Sequence, residues 1–68
     1  MTIQIVCNGE PRHLPPDTTV ADLVRQLGIA ERKFAVEINR KVVSRDRLAT
    51  VTLVEGDEVN VVTLVGGG

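Results

Sequence analysis

The stretch Val59-Asn60-Val61-Val62-Thr63-Leu64-Val65-Gly66-Gly67-Gly68 puts the tightest constraint on this chain, because a β-branched run suited to a buried strand ends in three glycines. Val59, Val61 and Val62 favour a pleated, packed surface, whereas glycine in a strand loses entropy and packs nothing. Strand order is therefore expected to stop near Val65. A glycine tail has no Cβ atoms, so it can enter a channel too narrow for a side chain. Its chemical handle is the α-carboxylate of Gly68. Three to four extended residues reach roughly 10 to 14 Å, enough to deliver that carboxylate to a partner's active site while the folded body stays outside. The tail reads as a substrate. The competing reading is a frayed terminus or a linker scar, although scars usually mix serine into the glycine.

A 68-residue chain has room for one domain, burying only about 60% of its unfolded surface. Phe34 is the one aromatic residue, so a core must come from Val, Ile and Leu, which leans towards strands. Cys7 is the single cysteine and excludes an internal disulfide; with one histidine there is no structural zinc site, and no metal is expected. The first residues, Met1-Thr2-Ile3-Gln4-Ile5, lack a basic leader and a long apolar run, so a cytoplasmic location without membrane association is the default expectation. A net charge of -1 without stacking aromatics argues against nucleic-acid binding.

Ile3, Ile5 and Cys7 alternate with Gln4 and Val6, the period of a half-buried strand. Asn8-Gly9 then signals a type I′ hairpin, whose central residues both need positive φ. Its partner, Glu10 to Leu14, contains Pro11 and belongs at a sheet edge, since proline cannot donate to a ladder. Thr19 has the character of a helix N-cap, with Asp22 completing a weaker capping box. Val20, Leu23, Val24 and Leu27 form one apolar stripe at helical spacing, and Gly28 sits at the C′ position. One helix of about three turns at most is expected.

Phe34, Val36 and Ile38 point inward from a third strand, Asn39-Arg40 turns the chain, and Lys41-Val42-Val43 returns beside it. Residues 44–48 have the composition of a turn or single helical turn anchored by Leu48. Val51 and Leu53 recross the core, Glu55-Gly56-Asp57 makes a turn, and the last strand starts at Glu58. The order β-β-α-β-β-β with one helix is an α+β layer arrangement. The near-continuous apolar last strand suits the sheet centre, beside the first strand. The expected fold is a ubiquitin-like β-grasp: a mixed sheet of about five strands, one main helix on one face and a flexible C-terminal glycine tail. The division is a 1–65 domain and a 66–68 tail.

With these segments in place, the chain resembles the ThiS family of sulfur-carrier proteins of thiamin biosynthesis over nearly its whole length. The resemblance is carried by Asn8-Gly9-Glu10, Thr19-Val20-Ala21-Asp22-Leu23-Val24, Phe34-Ala35-Val36-Glu37-Ile38-Asn39, Val42-Val43-Ser44-Arg45, Leu53-Val54-Glu55-Gly56-Asp57 and Val65-Gly66-Gly67-Gly68. Ser44 departs from the pattern, in which proline commonly precedes the arginine. The resemblance implies a carrier that is not an enzyme, has no catalytic residue and binds no cofactor. An E1-like adenylating enzyme of the ThiF type would use ATP to adenylate Gly68. A sulfur donor such as a cysteine desulfurase would lead to a C-terminal thiocarboxylate, and thiazole synthase of the ThiG type would take the sulfur. Gly66 and Gly67 would give access.

Val62 and Leu64 fall on the face opposite Val59 and Val61, and with Val65 are candidates for partner binding. They could also simply favour a strand. Arg40, Lys41, Arg45 and Arg47 form a basic cluster and Glu55, Asp57 and Glu58 an acidic one; each is either solvated surface or a steering patch. Cys7 is expected to be buried, and neither it nor His13 is assigned a function. Three alternatives stay open: a carrier for molybdopterin synthase, a non-catalytic ubiquitin-like binding module with an inert tail, and a modifier conjugated to lysines.

Overall fold

The computed structural model describes residues 1–64. Among these, the elements run β1 (Ile3–Cys7), β2 (Glu10–Leu14), α1 (Val20–Gln26), β3 (Phe34–Ile38), β4 (Lys41–Val43), a 3₁₀ turn (Arg45–Arg47) and β5 (Glu58–Thr63).

Both hairpins are closed by two-residue turns at positive φ. Asn8 (52°) and Gly9 (84°) join β1 to β2, and Asn39 (51°) and Arg40 (71°) join β3 to β4. The first pair runs antiparallel from Ile3↔Leu14 to Cys7↔Glu10, the second from Val36↔Val43 to Ile38↔Lys41. The sheet order is β2-β1-β5-β3-β4. Pro11 thus lies on an edge strand, as its missing N–H requires, and β5 takes the centre. It runs parallel to β1 through Val6↔Glu58 and Cys7↔Val59, and antiparallel to β3 from Phe34↔Thr63 to Ile38↔Val59.

The helix is capped at both ends by local chemistry. Thr19 Oγ1 accepts from the Asp22 N–H at 3.1 Å, and Asp22 Oδ2 accepts from the Thr19 N–H at 3.0 Å, so the capping box is reciprocal although its acid is the shorter Asp. At the other end Gly28 (φ 74°) donates to Arg25 O and Ile29 donates to Val24 O, the two bonds of a Schellman motif. These caps hold α1 to seven residues, two turns.

Residues 51–53 recross the molecule without joining the sheet. Val20 donates to Val51 O, Ala21 to Leu48 O, and Leu53 to Thr18 O, and Thr19 bridges Thr52. The returning segment therefore satisfies the N–H groups that a helix start leaves without partners. Val20, Leu23 and Val24 of α1 pack with Ile5, Val36, Leu53 and Val59 in the core, on one face of the sheet. The other face is open. Strand order ends at Thr63, opposite the first residue of β3. Whether order extends to Val65, and the expected flexible tail, lie outside the described residues.

Candidate functional site

The candidate site is the end of β5, and three contacts fix its exit. The Leu64 N–H donates to Lys33 O at 2.8 Å. Thr63 stands opposite Phe34. Asn8 Oδ1 accepts from the Val61 N–H at 2.8 Å. The chain therefore leaves the centre of the sheet at a defined point beside the 30–34 link. Val65, Gly66, Gly67 and Gly68, assigned by sequence to partner contact, access and covalent modification, lie outside the described residues.

Val62 and Leu64 are exposed, at 58% and 56%. The pleat puts Val62 on the open face, opposite the exposed Ala35, while Val59 and Val61 turn towards α1. Val42, at 73%, stands on β4 opposite Glu37, in the row that also holds Asn60. Away from this end the open face turns polar, with Asn60 opposite Glu37 and Glu58 opposite Val6. The geometry offers a small apolar face next to the chain exit.

Neither charge cluster seen in the sequence is a cluster in space. Arg40 and Lys41 sit at the β3–β4 turn, whereas Arg45 lies at the far end of β3, its guanidinium carbon 4.6 Å from the centre of the Phe34 ring. Arg45 also donates to Arg32 O at 3.0 Å. Between Arg40 and Arg45, β4 (Lys41–Val43), which starts at Lys41 itself, carries the chain along β3. The acidic run is divided too. Asp57 turns inward, 8% exposed, and accepts from Val54 N–H at 2.9 Å and from Asn39 Nδ2 at 3.1 Å. Glu55 Oε1 accepts from the Gln4 N–H. Asp57 thus ties its own turn to the β3–β4 turn and Glu55 ties the Asp57 turn to β1, roles that alternation and composition could not signal. The Phe34–Arg45 stack was equally invisible in sequence, since the residues are eleven apart in different elements.

Cys7 is buried, and burial pushes its thiol pKa up, so it is held as an unreactive thiol. His13 is exposed on edge strand β2 beside Gln4. Among the described residues no group of three His, Cys, Asp or Glu side chains could hold a metal ion, and no helix is long and apolar enough to cross a membrane.

Comparison with known proteins agrees with the fold and identifies relatives. The model of the ThiS family matches residues 5–68. A thiazole synthase of Magnetococcus marinus is 44% identical over 66 residues, 97% of this chain and 20% of that protein. A thiazole synthase of Paramagnetospirillum magneticum is 38% identical over the same shares. The chain spans 20% of the length of these two synthases. The crystal structure of a thiamine biosynthesis protein, ThiS, from Geobacter metallireducens matches with a TM-score of 0.81 at 28% identity, covering 97% of this chain and 100% of that one.

Proposed function

The chain belongs to the ThiS family of sulfur carriers in thiamin biosynthesis, and we propose that it carries its sulfur as a thiocarboxylate on Gly68. The observation behind this is that the family match runs through Gly68, so the likeness includes the glycine tail and not just the β-grasp body. The 1–65 body serves as a handle and residues 66–68 as the substrate segment.

The chemistry begins with a poor acyl donor. A carboxylate oxygen of Gly68 attacks the α-phosphorus of ATP on an E1-like enzyme of the ThiF type, and pyrophosphate leaves. The acyl-adenylate formed has AMP as a good leaving group. The terminal sulfur of a persulfide on a donor such as a cysteine desulfurase attacks the acyl carbon and AMP departs; a thiol then cleaves the acyl disulfide by exchange, so that the donor leaves as a disulfide and a thiocarboxylate remains. Its sulfur is a better nucleophile than the oxygen it replaced. Thiazole synthase of the ThiG type then takes the sulfur, and an oxygen from the acceptor or from water replaces it, restoring the carboxylate for another round. The similarity of this chain to a stretch of two thiazole synthases supports that partnership. ATP is consumed by the activating enzyme, and the carrier holds no cofactor of its own.

Each part of the chain has a task in this scheme. Gly66 and Gly67 let the backbone pass through a narrow channel. Val62, Leu64 and Val65 form the apolar contact that seats the body at its mouth. Intact-mass spectrometry after incubation with the adenylating enzyme, ATP and a sulfur source tests the reading. A gain matching exchange of one oxygen for sulfur, localised to Gly68, is expected. No gain, with the enzyme active on another carrier, overturns it.

A further inference from the structure

Two turns of this fold are built alike, and one of them carries reactive chemistry. Asn8 and Asn39 each open a two-residue hairpin turn at nearly the same positive φ, 52° and 51°. Each donates its backbone N–H to β5, Asn8 to Val59 O and Asn39 to Glu58 O, both at 2.8 Å. Each also presents its side-chain Oδ1 to a β5 N–H, that of Val61 at 2.8 Å and that of Glu58 at 3.1 Å. β1 pairs no further along β5 than Cys7↔Val59, so the Asn8 side chain takes the place of further strand and supplies the acceptor for Val61.

The two turns differ in the residue that follows and in what holds the amide nitrogen. Asn39 precedes Arg40, and its Nδ2 donates to the buried Asp57 carboxylate at 3.1 Å. Asn8 precedes Gly9, which is exposed and has nothing within 4 Å of where a Cβ would stand. Among the described residues no hydrogen bond holds Asn8 Nδ2, whose companion Oδ1 alone is engaged. Glycine leaves the backbone nitrogen after Asn8 unhindered and able to swing, and Nδ2 is the group expelled when that nitrogen attacks the side chain.

We propose that Asn8 is a self-modifying position, and that β5 gates its reaction. The Gly9 nitrogen, after losing its proton to solvent base, attacks Asn8 Cγ. The new N–Cγ bond closes a five-membered succinimide as the Cγ–Nδ2 bond breaks and ammonia leaves. Water then opens the ring: addition at Cγ gives aspartate, and addition at the α-carbonyl gives isoaspartate, with the main chain rerouted through Cβ and Cγ. No other reactant enters. Ring closure needs the Asn8 side chain folded back over Gly9, whereas the turn and the Val61 bond hold it along β5. The reaction therefore waits for the end of β5 to loosen from Asn8. The two products then diverge. Aspartate keeps an oxygen where Oδ1 stood and still accepts from Val61. Isoaspartate adds a main-chain carbon to a hairpin whose register is set by the length of its turn, and Val61 loses its acceptor beside the chain exit. None of this depends on what the glycine tail carries.

The test incubates the full chain in warm, mildly alkaline buffer with and without denaturing urea, maps the digest by mass spectrometry and identifies isoaspartate with an isoaspartyl methyltransferase. A mass gain matching exchange of NH2 for OH at residue 8 is expected in native buffer, about tenfold or more faster in urea, with Asn39 intact in native buffer. Amide hydrogen exchange at Val61 separates the products: Asn8→Asp retains wild-type protection, and the isolated isoaspartyl form loses it. An intact Asn8 after weeks in native buffer overturns the site. Equal rates with and without urea overturn the gate, and wild-type protection of Val61 in the isoaspartyl form overturns the link to β5.

Discussion

Asn8 holds the last strand with both its backbone and its side chain: its N–H donates to Val59 O at 2.8 Å and its Oδ1 accepts from Val61 N–H at 2.8 Å. The residue that makes the first turn also extends the short parallel pairing of β1 with β5. Asn8→Gly keeps a residue suited to φ 52° and removes only the acceptor. A loss of about 1 kcal/mol is expected in urea unfolding, with the fold retained by circular dichroism.

Asp57 is the most demanding polar group in the core. Asp57→Ala leaves the Val54 N–H and the Asn39 amide without their acceptor. A destabilisation of about 1–3 kcal/mol follows, read as a lower thermal midpoint. An unchanged midpoint would mean that water replaces the carboxylate.

Arg40 occupies the second position of the β3–β4 turn at φ 71°, a conformation that is unfavourable for a residue with a Cβ. Arg40→Gly removes that strain and adds some freedom to the unfolded chain. A net stabilisation of up to about 1 kcal/mol is expected from denaturant titration.

The hydrogen bonds of the Thr19 backbone and hydroxyl, with a contribution from Arg25, hold the Asp22 carboxyl below its ordinary pKa. Its folded value is depressed, so the stability it contributes is present above the unfolded carboxylate value and is lost as pH falls through the folded one. Asp22→Asn retains an oxygen able to cap Thr19 but does not titrate. The difference between wild-type and variant urea midpoints should shrink between about pH 6 and about pH 3; a gap that does not change with pH would refute the assignment.

Val62 on the open face has little to lose on substitution because it is outside the core. Val62→Lys should change stability by no more than about 0.5 kcal/mol. It should weaken binding to the adenylating enzyme or to thiazole synthase by about tenfold, measured by calorimetry. Unchanged binding to both would remove the apolar face from the docking scheme.

The elements of the fold were legible wherever a few consecutive residues decide the outcome. Asn8-Gly9 set a turn, Thr19 and Gly28 bounded a helix, and alternation in Ile3–Cys7 and Phe34–Ile38 chose the inward side chains. The candidate site was legible in part for the same reason: Val62 and Leu64 were placed outward by the period of the strand, and the glycine tail is a plain fact of sequence. Tertiary structure alone decided which charges meet. It separated Arg40 from Arg45, buried Asp57 against Asn39, and laid Arg45 across Phe34. Turn and cap chemistry acts over three or four residues, whereas these contacts depend on the packing of strands and loops far apart in the chain.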